Sequence, residues 1–354
     1  MQKLSLFALA LAISSQAGAQ TTPTAAAPAS TPGFMQGLTP GRTFNPNLGI
    51  VLNSQWADRE FEEMARGFSM GESEINMNAN IDDKLFGNMT IGIWPDGAHI
   101  EEAYVRSLGL PYGISVKAGR MMPIFGYLNE KHLHTDDFVR RPLALRQIFG
   151  REGRIITDGV ETSMVFPTVL YSEIGGGAFG EKDFSAYARI GGGDAHAWRL
   201  GSSFLRYRPG SGHSHDDHDH DDEYDLPQEN LVGIDFKYSY SPFGNNRETE
   251  LSLYGEYIFR NGEADGAGLY AADDHAHDDD GGFYAAAVLK WARYWRTGYM
   301  YSAAGHDYDE HSVLLERMTS EFGRFRLQYT HGAFENQVVF QWTAVLGPHV
   351  AHSF

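Results

Sequence analysis

The chain has 354 residues, 46 acids against 28 lysines and arginines for a formal net charge of −18, no cysteine, 40 glycines and 13% aromatic residues. No disulfide framework is available to it, and nothing in this balance resembles a basic nucleic-acid footprint, so a nucleic-acid partner is excluded. The acidity is local: residues 208–225 and 261–281 each hold seven acids and together a single arginine, which leaves 32 acids facing 27 bases elsewhere.

Residues 1–19 read as a secretory signal peptide. Lys3 supplies the positive start, Leu4 to Ile13 an apolar stretch too short to span a bilayer, and Ala17-Gly18-Ala19 a small-residue cleavage site before Gln20. Residues 20–46 are rich in Thr, Ala and Pro and form a flexible periplasmic linker. No later segment of about 18 apolar residues exists, which excludes a helical membrane protein.

From residue 47 to 354 the dominant texture is period-two alternation, the signature of a strand with one apolar and one polar face. In Ser73 to Asp82, Ile75 and Met77 lie on one side and Glu74, Asn76 and Asn78 on the other. About sixteen such segments are predicted, near 48–56, 72–82, 86–94, 100–110, 113–122, 158–166, 169–179, 184–191, 196–207, 230–241, 248–260, 282–293, 296–303, 311–320, 324–331 and 336–347. Their spacing sorts by length. Short turns at 82–84, 111–113, 167–168, 192–194, 242–246 and 321–323 fall on one side, and the long segments 57–71, 123–157, 208–229 and 261–281 on the other. Strict parity of this kind is the mark of an outer-membrane β-barrel with periplasmic turns and extracellular loops. A soluble β-sandwich also alternates, but the tail Val338, Phe340, Trp342, Ala344, Leu346 running to Phe354 favours the last strand of a barrel. In this register Ile75, Met77, Leu251, Leu253, Phe259, Phe340 and Trp342 face outer-membrane lipid, while Glu74, Asn76, Asn78, Glu250 and Glu256 face the lumen.

The loop after the fifth strand is long enough to fold inward and narrow a lumen that is otherwise an open channel. It carries Glu130, His132, His134, Asp136, Asp137, Arg140, Arg141 and Arg146, with Arg151 and Arg154 beyond. Arg140 and Arg141 are expected to oppose Asp136 and Asp137 there, as pore-constriction charges that orient dipolar solutes. The alternative is an external loop whose ions pair with one another. Two further loops hold His213, His215, His218, His220 and His275, His277 among aspartates. Imidazole nitrogens completed by carboxylates suit Zn²⁺, with Cu²⁺, Ni²⁺ and Ca²⁺ as competitors, and solvated acidic loops as the plain alternative. Gly175 to Gly180 spells G-x-G-x-x-G, but inside a strand with no following helix it carries no dinucleotide reading. No catalytic motif is evident, and no cofactor is required.

The stretches GRMMPIFGYLNEKHLHTDDFVRRPLALRQIFG (119–150), DGVETSMVFPT (158–168), IEEAYV (100–105) and VVFQWTAVLGPHVAHSF (338–354) resemble a porin-related outer-membrane family often labelled zinc-regulated TonB-dependent receptors. The resemblance implies a barrel pore linked to zinc supply. Length fits a passive or facilitated pore of the phosphate- and anion-porin kind, in the outer membrane of a Gram-negative bacterium, and family analogy adds a homotrimer. A closed-lumen surface barrel that binds metal or adheres is the alternative function, followed by a barrel-borne hydrolase using His132, His134, Asp136 and Asp137.

Overall fold

The computed structural model describes residues 46–347 apart from 61–63, 181, 209–227, 243, 245, 262–280, 306–307 and 333–335. Alternation becomes strands almost wherever it was read. In chain order they are β1 (Asn47–Ala57), β2 (Gly67–Met70), β3 (Ser73–Asn80), β4 (Leu85–Trp94), β5 (Gly97–Ser107), β6 (Ile114–Met121), β7 (Thr157–Val165), β8 (Tyr171–Phe179), β9 (Asp183–Gly192), β10 (His196–Tyr207), β11 (Glu229–Tyr240), β12 (Glu250–Asn261), β13 (Gly282–Ala292), β14 (Trp295–Ala304), β15 (Tyr308–Ser320), β16 (Gly323–Gly332) and β17 (Gln337–Leu346). Every neighbouring pair is antiparallel, and β1 pairs with β17, so the sheet closes on itself. Both β2 and β3 pair with β1. They are two pieces of one barrel strand, and the barrel has sixteen.

The segment 57–71 is therefore a shorter loop than the sequence suggested, because Gly67–Met70 still finds β1 as a partner. Elsewhere the loop parity holds. The six short turns read from sequence lie at one end, where Asp82 Oδ1 accepts hydrogen bonds from the backbone N–H groups of Lys84 (2.7 Å) and Leu85 (2.8 Å), and the β4–β5 and β8–β9 connections at the other end are short as well. The outer face is apolar and exposed at Val160, Ile234, Phe259, Leu315, Phe340 and Trp342, with Trp291, Tyr294 and Phe322 beside the short turns. A closed barrel with this exterior belongs in a bilayer, since closure satisfies the backbone and the belt meets lipid.

Two irregularities occur close together. The β2/β3 break falls at Gly71-Glu72, and in the β4–β5 pairing Thr90 faces Glu102 while Ile91 faces Ile100, leaving Glu101 as an extra residue. Such a bulge re-aims side chains, and Glu101 and its neighbour Glu102 both point inward and are buried.

Candidate functional site: a loop inside the barrel

Residues 122–156 leave β6 and run through the lumen. Their only α-helix, α1 (Leu143–Phe149), contacts β13 and β14. Seven residues are too few for a helix to be stable alone, so burial holds it. The inner wall supplies that burial. Leu205, Leu231, Ile258, Val288, Met300 and Leu314 point inward from β10 to β15 and share one apolar cluster with Phe125, Leu128, Phe138, Leu145 and Ile148 of the loop. Close approach needs small wall residues: a Cβ added to Gly282 would lie 2.8 Å from Ala144 Cβ. Gly126 sits at φ +61°, a left-handed conformation, and a Cβ there would collide with the Glu256 carboxylate.

Polar anchors complete the docking. The Arg326 guanidinium donates to the carbonyls of Asp136 (2.7 Å), Asp137 (3.3 Å) and Phe138 (3.2 Å), and Arg324 to those of His134 and Asp136. Asp137 meets Arg296 at 2.8 Å, and Arg296 is also bidentate to Glu316. Arg146 pairs with Glu310 at 2.5 Å, and Arg140 donates to Gln337 at 3.4 Å. Gly126 N–H donates to Ser203 Oγ at 3.0 Å, and Tyr127 N–H to Glu256 at 3.3 Å. Glu130 bridges Arg189 (3.0 Å) and Arg199 (3.5 Å).

On the opposite wall, β3 and β5 hold the loop through histidine. His132 Nδ1 lies 3.0 Å from Glu101 Oε2 and 3.5 Å from Glu74 Oε2, and its Nε2 3.1 Å from Glu102. His134 Nδ1 lies 2.6 Å from the other Glu74 oxygen. Arg154 reaches Glu101 (2.6 Å), Glu152 (2.8 Å) and Glu72 (3.3 Å).

Charge and burial shift the loop's titrating groups. Burial works against a protonated His132, but the Glu74 charge and three carboxylate hydrogen bonds overcome it and hold the imidazole well above its ordinary value. Burial opposes the Asp137 and Glu130 carboxylates too, yet Arg296 and Arg189 respectively keep them below the usual range. Lys131 is lowered by burial, and the Tyr127 phenol is pushed up to about 12 by the same cause.

Two cavities remain beside the loop, of about 640 and 550 Å³. They share Glu130, Trp198 and Arg199 and reach the short turns at Gly192-Gly193 and Gly244. The larger is lined by Asn76, Asn88, Glu102, Lys117, Glu161 and Arg189, the smaller by Lys131, Lys237, Ser239 and Glu250 among others. A third, about 130 Å³, lies toward the long loops between Trp94, Arg151 and Glu152. Charges of both signs line all three, and the largest is the most polar.

Of the residues singled out from sequence, Glu74, Asn76, Asn78 and Glu256 are buried on the inner face, and Glu250 lines the smaller large cavity. The expected opposition of Arg140 and Arg141 to Asp136 and Asp137 is not what the chain builds. Arg141 pairs with Asp136 inside the loop at 2.7 Å and ties down the carbonyls of Gly153, Leu128 and Lys131, while Asp137 meets Arg296 on β14 and Arg140 reaches Glu310 on β15 and Gln337 on β17. Likewise His132 and His134 lie on the β3/β5 side and Asp136 and Asp137 are held by arginines, so the four do not assemble into a hydrolase-like group. The six loop histidines from His213 to His277 lie outside the described residues. Sequence reading did not single out Glu101, Glu102, Arg189, Arg296, Arg324 or Arg326. A doublet of acids in IEEAYV, which breaks alternation, was the available signal for the bulge.

With this geometry in place, relatives can be compared. No protein-family model matches the chain. An uncharacterised protein of Aquifex aeolicus is 28% identical over 338 residues, covering 82% of this chain and 70% of its own. The fold is that of porin-like sixteen-stranded barrels. OmpT of Vibrio cholerae, in a trimer form, superposes with a TM-score of 0.56 at 13% identity over 85% of this chain and 99% of its own. An anion-selective porin of Comamonas acidovorans gives 0.56 at 13% over 86% and 99%, and OmpF of Salmonella typhi 0.56 at 10% over 85% and 97%. The chain thus has the fold of these outer-membrane barrels. None of these matches bears on the zinc-regulated receptor part of the resemblance.

Proposed function

We propose that this protein is an outer-membrane pore through which small solutes diffuse, passively or by facilitated passage, beside a constriction made by residues 122–156. The observation that carries this reading is the double anchoring of the loop, to β10–β16 on one side and to β3 and β5 on the other, with charge-lined cavities of about 640 and 550 Å³ left beside it, the larger of them polar. A closed-lumen barrel needs no such polar residual space. Glu130, His132, His134, Asp136, Asp137, Arg140, Arg141 and Arg146 are the constriction residues in this reading; most of them position the loop, and Glu130, Arg189 and Arg199 meet the solute.

The pore is linked to zinc supply through the loops carrying His213, His215, His218, His220, His275 and His277, which concentrate Zn²⁺ at the channel mouth by imidazole binding and negative potential. The assembly is a homotrimer, by analogy with the trimer form of Vibrio OmpT. Planar-bilayer recording tests the core of the proposal. The purified protein should conduct, and deleting residues 129–148 should raise single-channel conductance and flatten ion selectivity. Absence of conductance in both would favour the closed-lumen surface barrel.

A further inference from the structure

The cluster on the β3/β5 wall has more carboxylate than its neighbours neutralise. Glu72, Glu74, Glu101 and Glu102 are all buried, against one buried guanidinium, Arg154, and the imidazolium of His132. Uncompensated buried charge is costly, and it is retained where a function uses it. Both strand irregularities of the β2–β5 region, the break at Gly71-Glu72 and the bulge at Glu101, deliver acids to this one point. Glu74 Oε2, on a residue only 1% exposed, has only the long 3.5 Å approach of His132 Nδ1. Glu74, Glu101 and His132 each place one ligand atom within 4.8 Å of the other two.

We propose that Glu74, Glu101 and His132 bind one first-row divalent cation, with Zn²⁺ its representative, inside the barrel, the ion displacing the proton on His132 Nδ1 to solvent. In a tetrahedral site with bonds near 2.0–2.1 Å, neighbouring ligand atoms are about 3.3–3.4 Å apart. His132 Nδ1 already stands 3.0 and 3.5 Å from the Glu101 and Glu74 oxygens. The surrounding shell is the kind that orients metal ligands. Glu102 takes the far ring nitrogen of His132 at 3.1 Å, His134 takes the second Glu74 oxygen at 2.6 Å, and Arg154 takes the second Glu101 oxygen at 2.6 Å. Glu74, Glu102 and His132 also line the 640 Å³ cavity, which gives the ion a way in and a water a fourth position. An imidazole with two carboxylates favours Zn²⁺ or its first-row neighbours over Ca²⁺ and Mg²⁺, which take oxygen donors. The site is preformed among packed side chains, so little conformational entropy is lost when an ion binds.

Binding here ties two barrel strands to the loop. That effect on the channel rests on the pore reading; the binding itself does not.

The experiment uses the full chain in detergent micelles, stripped with chelator, with His213, His215, His218, His220, His275 and His277 all replaced by alanine so that the loops are silent. Equilibrium dialysis against Zn²⁺ alone should leave one ion per chain, undisplaced by excess Ca²⁺. His132→Gln and, separately, Glu101→Gln should weaken it by about a hundredfold or more, while His196→Ala, remote from the cluster, leaves it unchanged. Co²⁺ substitution should give the visible absorption of a tetrahedral site, in a chain with no cysteine to confuse the spectrum. No retained ion in the loop-silenced protein overturns the proposal, as does undiminished binding in either glutamine variant; each variant's fold is checked by its heat-dependent gel mobility, and the Co²⁺ spectrum of the parent decides if both fail to fold. Conductance measured with and without Zn²⁺ on the same protein then reports the channel effect separately.

Discussion

Replacing Leu145 by alanine should undock the loop without unfolding the barrel. Leu145 is 1% exposed in the apolar cluster, on a seven-residue helix that has no intrinsic stability. A buried Leu→Ala substitution costs about 2–5 kcal/mol, the lost transfer energy plus the cavity left behind. None of the barrel's backbone pairing runs through Leu145, so the cost falls on the docked state of the loop. At about 1.4 kcal/mol per factor of ten, the ratio of undocked to docked loop rises roughly 30-fold to several-thousand-fold.

Ile148, 6% exposed in the same cluster, provides an internal scale. Ile148→Val should cost about 0.5–1.5 kcal/mol, hence a roughly two- to tenfold change. Limited proteolysis within residues 122–156 and the frequency of high-conductance events in single-channel traces both read the undocked population. Both should increase in the order wild type, Ile148→Val, Leu145→Ala, while the barrel's heat-dependent gel mobility stays put. Wild-type protection and noise in Leu145→Ala, or a larger effect from Ile148→Val, would refute the idea that apolar contact with the β10–β15 wall holds the loop.

Gly126→Ala should loosen the same loop through its backbone, because the left-handed φ costs a non-glycine residue about 1–2 kcal/mol and the new methyl meets the Glu256 carboxylate; proteolysis reads it. Phe259→Arg, on an outer-face residue 51% exposed, should destabilise the barrel by about 2–4 kcal/mol at mid-bilayer depth in a lipid-vesicle urea titration, and an unchanged midpoint would place Phe259 outside the hydrocarbon band. Asp137 is lowered in the folded protein, so its anchoring contribution is present above the unfolded value of about 3.9 and is lost as pH falls through the lower folded value. Loop protection should therefore hold from neutrality to about pH 4 and fall below it, with that step absent in Asp137→Asn. For the outer loops, calorimetry should find weak, pH-sensitive Zn²⁺ binding that disappears when all six of their histidines become alanine, with affinity falling below about pH 6.5 as imidazole protonates; equal binding in both proteins would end their zinc role.

The barrel was legible because its determinants are local. Alternation in Ser73 to Asp82 is visible without knowing what β3 pairs with, and the turn at Asp82 announces itself by its own side chain. The path of residues 122–156 was legible only in outline. Its length argued for an inward fold, but Asp137 could not be matched to Arg296, nor His132 to Glu101, from sequence, since each partner lies on a strand brought near by closure of the whole ring. Arg140 and Arg141 misled for the same reason. Adjacent residues look equivalent in a list, yet the backbone sends Arg141 back to its own loop and Arg140 to the wall. The bulge at Glu101 was present in the doublet Glu101-Glu102 but reads there only as an interruption, because a bulge is defined by the partner strand.

Alternation also concealed a division of the inner wall, and that division explains where the open space lies. On the outside most exposed strand positions are apolar, with exceptions such as the Arg120–Asp158 pair of β6 and β7. On the inside the residues answer to different neighbours. From β10 to β15 the inward positions include Leu205, Leu231, Ile258, Val288 and Leu314, which water would not favour and which the loop covers. Besides Glu74, the inward positions on β3 and β4 include Asn76, Asn78, Asn88 and Thr90, joined side chain to side chain by bonds of 2.8 Å from Asn76 to Thr90 and 3.0 Å from Asn76 to Asn88. An amide ladder gains little from being covered by apolar groups and loses nothing by facing water. The loop therefore leans on the apolar arc, and the larger cavity opens against the amide arc, where Asn76 and Asn88 line it. The two arcs are unequal by the chemistry of their side chains alone, so the place of the larger cavity on the amide side follows from which inward residues each strand carries.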